Sequence, residues 1–295
     1  DRVYYEGKKF PAGHFAAEIL NFAGVIHDPL LERITVLTAL VDDLSTAEKS
    51  KRHDVAAQLK PLLHDTVSWL YTCPPFCYCE SQGAYEDLEH ALSEERLDRD
   101  YEEGEAHLPY LALSFSEPIL RILVAIYNFC LLIRAFEMKY LRGSKQRNAD
   151  AFAKAAHECF DEDDSFLILL EQMPFGGVEE FFSYPRVITG FNYFQDENNE
   201  EKWKTAQRVI CRRAIDFYVF DLMNGLHHGH APSQCQGCGR YFLTTNGHTP
   251  KYCDGVAPQD NRYTCRQYGA MKHQKEQNKQ HPVYRLFNTR TDTIR

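Results

Sequence analysis

Four cysteines near the C-terminus have the spacing of metal ligands. Cys235 and Cys238 form a CxxC pair, Cys253 follows after fourteen further residues and Cys265 after eleven more. Two thiolates in one tight turn can hold a single ion, and a tetrahedral zinc site then takes two ligands from later in the chain. The glycines at 237 and 239 suit such a turn. The sequence therefore predicts a Zn²⁺ site with these four cysteines as ligands.

Histidines near this site are the alternative ligands. His248 lies between the second and third cysteines and is the main rival. His227, His228 and His230 precede the CxxC pair, and for them a solvated turn or a supporting contact is the commoner role.

The same stretch also predicts the secondary structure around the cysteines. Gly239–Lys251 is expected to form a hairpin, with Tyr241 and Phe242 packing under the metal. A helix from Cys265 to about Lys279 would favour the thiolate, because a helix N-terminus stabilises negative charge. A knuckle, a hairpin and a ligand at a helix start predict a treble-clef-like zinc module.

The C-terminal part is basic and the remainder acidic. Residues 235–295 carry a net charge of +6 and the first 234 residues one of −15. A polyanion would therefore be drawn to the C-terminal end alone. The candidate nucleic-acid contacts are Arg262, Arg266, Lys272, Lys275 and Lys279. The alternative is a solvated basic face on a finger that is purely structural.

The C-terminal segment also resembles a known family. The motifs are Cys235-x-x-Cys238-Gly-Arg-Tyr-Phe, Tyr252-Cys253-Asp, Cys265-Arg-x-x-Gly-Ala and Tyr284-Arg. They resemble the C-terminal part of a bacterial family of unknown function and, more distantly, the CGNR zinc-finger proteins. The latter resemblance implies a transcriptional regulator with a helical N-terminal domain. The chain has a longer interval before Cys265 than those proteins and lacks the CGNR tetrapeptide.

Upstream of the cysteines the sequence predicts mainly helix. Leu30, Ile34, Leu37, Val41 and Leu44 recur with helical spacing after an Asp28-Pro29 start. Further helices are expected from Phe15 to Ile26, from a capping box at Ser45–Glu48 with an interruption at Pro61, from Ser116 to Leu141, from Asn148 to Phe160, and from Asn199 to Leu226. A short hairpin is expected within Val178–Phe194. We predict a mainly α protein with a helical domain at 1–230, an acidic loop within it at 80–106, and the zinc module at 231–295.

Three other patterns could carry metal chemistry. Cys73, Cys77 and Cys79, with His64, could form a second metal site, although loop cysteines are usually structural. The acidic run Asp161–Asp164 could hold Mg²⁺, but an exposed turn is commoner. The pairs His27-Asp28, His53-Asp54 and His64-Asp65 are typical of helical metal-dependent phosphohydrolases, a third and weaker functional hypothesis.

Composition also indicates whether the protein is a membrane, secreted or cytoplasmic protein. The apolar run Ile119–Phe136 is interrupted by Arg121, Asn128 and Arg134, which favours a buried helix over a membrane span. A signal-peptide pattern is missing and we expect a chain that begins inside a longer gene product, in the cytoplasm and without a membrane partner. The sequence predicts a regulatory zinc protein that binds nucleic acid, or else an interaction protein with a structural zinc site. A protein partner or small ligand of the helical domain is expected in either case.

Overall fold

The computed structural model describes residues 2–5, 8–22, 29–97, 101–103, 106–108, 110–144, 146–164, 168, 187–196, 199–245, 250–283, 286 and 290. The chain is mainly α, as the sequence predicts. The expected His248 ligand, the Asp28 cap and the His27-Asp28 pair lie outside the described residues.

The chain begins with a short hairpin and three helices. Strands β1 (Arg2–Tyr5) and β2 (Lys8–Pro11) pair antiparallel. Helices α1 (His14–Phe22), α2 (Pro29–Thr46) and α3 (Lys49–Leu70) follow. The predicted apolar face of α2 is confirmed, because all five of its residues from Leu30 to Leu44 are buried.

Two predictions about α3, one on its start and one on its middle, are wrong. The Ser45 and Thr46 hydroxyls do not cap α3; they donate to the Asp42 carbonyl in the last turn of α2. Pro61 does not interrupt α3. Its side of the helix is exposed, so water can hydrate the carbonyl that proline leaves unbonded, while Leu59 and Leu63 are fully buried.

The acidic segment is largely folded and is not a loop. It contains helices α4 (Gln82–Ala91) and α5 (Glu94–Leu97) and the strand pair β3 (Tyr101–Glu103) and β4 (Ala106–Leu108). Leu88, Leu92 and Leu97 anchor it to the core, and the described acidic side chains remain exposed.

Helix α6 (Tyr110–Phe136) occupies the middle of the core and ends in a π-helical turn, Glu137–Leu141. It begins six residues before the predicted Ser116 and contacts α1, α2, α4, α5 and a later helix over Ala214–His227. By length and composition the 112–141 stretch could cross a membrane, and 50% of its most apolar window is buried inside the protein. Helix α7 (Ala149–Phe160) follows, capped by the Asn148 side chain, which accepts from the Ala151 N–H.

The region after residue 186 differs most from the prediction. Strands β5 (Val187–Asp196) and β6 (Asn199–Cys211) form a long antiparallel hairpin, and α8 (Ala214–His227) begins only then. The predicted helix over Asn199–Leu226 is therefore wrong in its first half. The spacing of Trp203, Ala206 and Ile210 fits a helix, but pairing with β5 decides for strand.

The C-terminal part contains two small strand pairs and a helix. Strands β7 (Ala231–Gln234) and β8 (Tyr241–Thr244) pair across the CxxC turn, and β9 (Val256–Ala257) pairs with β10 (Asp260–Thr264). Helix α9 (Cys265–Gln280) ends the described regular structure. Among the described residues of Gly239–Lys251 no hairpin forms, because β8 pairs backward with β7; positions 246–249 of that range lie outside the described residues.

Two apolar clusters hold these elements together. The large one runs from α1 to β7 and includes Phe129, Phe136 and Tyr218 among its fully buried side chains. The small one surrounds the four C-terminal cysteines. Strand β8 touches both, because successive side chains alternate: Tyr241 packs on the large cluster and Phe242 on the small one.

The C-terminal strands are fixed to the helical body by hydrogen bonds. The Asn21 side chain donates to the Tyr241 carbonyl at 2.9 Å and accepts from the Tyr241 N–H at 2.7 Å, so it acts as a strand partner for β8. Arg142, in the loop after the π turn, donates to Glu137 and to Gln234 of β7. The position of the cysteine cluster is therefore set by α1 and the end of α6.

Candidate metal centre and basic helix

The CxxC turn is shaped by its own backbone. The Cys235 N–H donates to the Arg240 carbonyl at 2.8 Å and the Gly239 N–H to the Cys235 carbonyl at 2.9 Å. Gly239 has φ of +75°, a left-handed conformation that glycine adopts without strain. This turn points the Cys235 and Cys238 sulfurs toward the same space.

The third and fourth cysteines are brought in by backbone contacts with this turn. The Gln236 N–H donates to the Lys251 carbonyl, which draws the 251–253 segment alongside. The Cys265 N–H donates to Gly255, and the Arg266 N–H donates to the Cys253 carbonyl at 3.1 Å. Helix α9 thus starts directly on the segment that carries Cys253.

The four sulfur atoms lie within 4.8 Å of one another, and the set contains no other type of ligand. The Cys238 and Cys253 sulfurs are 3.6 Å apart, too far for a disulfide, and none of the ten cysteines forms one. Zinc–sulfur bonds of about 2.3 Å at tetrahedral angles separate the sulfurs by about 3.8 Å. The cluster therefore fits one tetrahedral ion and could bind a metal.

The thiols differ in their tendency to ionise. Burial raises the pKa of Cys235, but N–H groups of Cys253, Cys238 and Gly237 outweigh this and bring its pKa to about 7. Burial raises the pKa of Cys253 to about 11 and that of Cys265 further still. Of these three thiols Cys235 has the lowest pKa, and a bound cation would stabilise the thiolates of the other two.

Cys265 begins α9, as the sequence predicts, and the start of this helix is strongly defined. The Thr264 hydroxyl accepts from the Gln267 N–H, and the Gln267 side chain accepts from the Thr264 N–H. This capping box was missed, although Thr264-x-x-Gln267 is its sequence signal. It fixes the direction in which α9 leaves the thiol cluster.

Helix α9 is docked only by its first turns. Gly269 is buried against the Tyr252 ring, and Tyr268 packs beside the cysteines. From Lys272 to Lys279 every residue is exposed. The helix projects from the metal centre with polar side chains on all sides.

The five predicted nucleic-acid contacts divide into two groups. Arg262 makes a two-bond ion pair with Asp260, and this arginine lowers the pKa of Asp260 to about 2. Arg266 pairs with Asp254 at 3.0 Å. Lys272, Lys275 and Lys279 lie exposed along α9, and within the described residues Lys272 and Lys275 form no ion pair.

The histidines before the CxxC turn do not join the cluster. His230 is buried and its Nδ1 bonds with the Ala12 carbonyl, while His227 and His228 are exposed. His230 thus links the end of α8 to the residues just before α1.

The second cysteine group does not form a metal site in the described structure. Burial raises the pKa of Cys73 to about 12, and its thiol donates to the Trp69 carbonyl. Cys79 shares a hydrogen bond with the Tyr5 hydroxyl and Cys77 is exposed. His64 lies on the surface of α3 beside the Tyr85 ring.

The remaining metal candidates are likewise dispersed. His53-Asp54 and His64-Asp65 both lie on α3, and among the described residues neither pair is joined by a third metal-ligating side chain. In the acidic run, Asp163 contacts Lys139 and Tyr140, whereas Asp161 contacts His157. Among described residues, the C-terminal thiols are the sole group of three or more ligand side chains brought together.

No curated protein and no solved structure matches this sequence. The similarity to CGNR proteins therefore remains a prediction. Residues 183–295, from just before the β5–β6 hairpin through α9 to the C-terminus, match a family of unknown function, DUF6076.

Proposed function

We propose that the four cysteines bind one zinc ion and that this zinc module holds the basic helix α9 for contact with nucleic acid, in a regulatory cytoplasmic protein. One observation carries the proposal: a thiol cluster with tetrahedral dimensions lies at the first residue of a helix whose outer half is wholly exposed.

Zinc is the metal that this ligand set favours. Four thiolates in a tetrahedral arrangement suit Zn²⁺ or an iron–sulfur centre, and a buried four-cysteine site without an open position is typical of structural zinc. The role of the ion would be to fold the module. The small apolar cluster around the cysteines contains too few side chains to hold α9 by packing alone.

The charge of α9 supports a polyanion as the partner. Lys272, Lys275 and Lys279 follow one another at helical spacing on an exposed helix with a single acidic residue, Glu276. Each lysine that neutralises a phosphate contributes about one unit to the salt dependence of binding. Gln274, Gln277 and Asn278 on the same helix offer amide groups that can bond with bases.

The test has two parts. Elemental analysis should find one zinc per chain in the wild type and its loss in Cys253→Ala. Fluorescent duplex DNA and RNA are then titrated at 50 and 200 mM salt with wild type and with Lys272→Gln/Lys275→Gln. The double variant should bind more weakly, and its log–log salt slope should fall by about two units.

The matched control is Lys49→Gln/Lys51→Gln, which removes two exposed lysines from the start of α3 and has the same net charge. Equal weakening by both pairs would show that net charge alone is responsible and would reject α9 as the contact. Wild-type protein that retains zinc but binds neither polymer at 50 mM salt would reject nucleic-acid binding.

A second function has its own supporting observation. Arg262 and Arg266 are already paired with Asp260 and Asp254, which is how a purely structural finger uses its arginines. In that case zinc would fix the C-terminal elements of an interaction protein. One zinc per chain together with no polynucleotide binding is the result expected for this alternative.

A further inference from the structure

The β5–β6 hairpin exposes three aromatic rings. Phe191 is 76% exposed, Tyr193 68% and Trp203 65%. Such exposure is unusual for large rings, and a two-stranded hairpin is only marginally stable in water by itself. The exposed aromatic rings therefore indicate a ligand-binding surface.

The strand register places the three rings on one face. Phe191 pairs with Gln207, Tyr193 with Thr205, and Gln195 with Trp203. Phe191 and Tyr193 are two residues apart on β5, so they point to the same side about 7 Å apart. Trp203 lies diagonally across from Tyr193, which is within reach for aromatic side chains. The rings form a continuous row.

None of the residues that pair across the two strands on this face is charged. Its other described members are Val187, Thr189, Gln195, Thr205, Gln207, Val209 and Cys211. Lys202 and Arg208 are exposed on the opposite face, and Arg212 is exposed just beyond the end of β6. The acidic residues of the segment are confined to positions 196–201 around the turn. A neutral aromatic surface thus lies next to basic side chains along the stem.

Because the hairpin is narrow, one ligand can contact both the aromatic rings and the basic side chains. The two strands lie only about 4.8 Å apart, so a lysine or arginine side chain can extend past the β6 edge. Aromatic faces stack with nucleobases regardless of base identity, and adjacent cations contact the phosphates. In a duplex the base faces are covered by neighbouring base pairs, whereas single strands expose them.

We propose that the aromatic face of the β5–β6 hairpin, formed by Phe191, Tyr193 and Trp203, is a stacking surface for single-stranded nucleic acid. This deepens the proposed function, on which it rests for the class of ligand, but it involves residues separate from α9. The charge pattern favours this ligand because the aromatic face is neutral and the neighbouring exposed side chains of the stem are cationic.

Trp203 provides a direct measurement. The sequence contains two tryptophans, Trp69 and Trp203, so Trp69→Phe leaves Trp203 as the sole tryptophan in the full-length chain. Titration of this protein with an eight-nucleotide single strand of DNA or RNA should quench Trp203 fluorescence saturably. A hairpin-free duplex of the same length should quench it much more weakly.

The ring variants retain strand-forming residues so that the hairpin is preserved. Phe191→Val and Tyr193→Thr remove a stacking face but keep β-branched side chains at both positions. Each should weaken single-strand binding by about tenfold or more. Met138→Ala, which truncates another exposed apolar side chain far along the sequence, is the matched control and should leave the affinity unchanged.

Three outcomes would overturn the inference: no quenching by single strands, equal affinity for the duplex, or unchanged affinity in both ring variants. Fluorescence that depends on protein concentration without oligonucleotide, together with a doubled mass in sedimentation, would assign the face to a second copy of the chain instead.

The variant Lys272→Gln/Lys275→Gln separates the hairpin proposal from the α9 proposal. If this variant loses duplex binding but its Trp203 is still quenched by single strands, both surfaces are supported. If single strands quench Trp203 in the wild type and the lysine variant binds duplex as well as the wild type does, α9 is rejected and the hairpin surface stands.

Discussion

Among single residues, Asp221 is the buried acid that joins α8 to the start of α1. Its carboxylate oxygens accept from the Gly13 N–H at 3.0 Å and the Ala16 N–H at 2.9 Å, so a residue of α8 caps α1. Burial raises the pKa of Asp221 to about 6, and the N–H donors of Ala16, Gly13 and Phe15 oppose this only in part. The cap is therefore held at the cost of burying a charge.

This raised pKa predicts a pH dependence of stability. Because the folded pKa of about 6 exceeds the ordinary 3.8, the folded state binds the proton more tightly than the unfolded state. The resulting stabilisation is complete below about pH 4 and is lost as the pH rises through 6. A difference of about two pKa units corresponds to about 3 kcal/mol.

Asp221→Asn does not titrate, so its free energy of unfolding relative to wild type should increase by up to about 3 kcal/mol between pH 4 and pH 7. Urea unfolding of both proteins at four pH values measures this. Asp150→Asn on the surface of α7 corrects for the change in net charge. A difference between Asp221→Asn and wild type that stays constant with pH would contradict the assignment.

Among the secondary-structure elements, α8 and the backbone just before α1 are in direct contact, and a glycine lies on each side of that contact. A Cβ atom built on Gly225 would be 2.8 Å from the Gly13 Cα and 3.2 Å from the Ala12 carbonyl oxygen. These are backbone atoms, so neither can rotate away. The same contact holds the Asp221 cap and the His230 bond to Ala12 in place.

Gly225→Ala should therefore destabilise the protein by about 1–3 kcal/mol, because the helices must separate to accept the methyl group. Gly83→Ala is the control: Gly83 lies in α4 with nothing within 4 Å of the added carbon, and alanine should stabilise that helix by up to about 1 kcal/mol. Thermal and urea unfolding compare the two. A stabilising Gly225→Ala would show that the close approach is not required.

At the scale of the whole molecule, a large apolar core and a small thiol-centred cluster share one chain. Strands β7 and β8 belong to the side that is fixed to α1 and α6, whereas Cys253, β9, β10 and α9 are attached mainly through the cysteines. The stability of these two parts should therefore depend differently on a metal ion.

Removal of the proposed zinc ion should release the C-terminal elements and leave the helical body folded. Structural zinc contributes on the order of 10 kcal/mol to folding in small modules, more than the few apolar contacts here can replace. We expect amide exchange to accelerate across residues 251–280 after chelation or in Cys253→Ser, with α2 and α6 still protected.

Cys77→Ser, which changes an exposed cysteine outside the cluster, should exchange like the wild type. Uniform acceleration across α2 and α6 would instead indicate that the metal stabilises the entire protein. Unchanged exchange in α9 would indicate that the module folds without it.

Features that depend on neighbours along the chain can be predicted from the order of residues. The buried face of α2, the Asn148 cap of α7 and the start of α9 at Cys265 follow from helical spacing and local hydrogen bonds. The cysteine set also follows, since the CxxC interval alone places two sulfurs in one turn.

Features that depend on partners far away in the chain are fixed by folding. Residues 199–211 form a strand because β5 pairs with them, although their apolar spacing also fits a helix. The Arg266 side chain pairs with Asp254, earlier in the chain, and Cys79 shares a hydrogen bond with Tyr5, which lies 74 positions away. Strand pairing and ion pairing depend on distances in the folded chain, and composition and periodicity do not carry those distances.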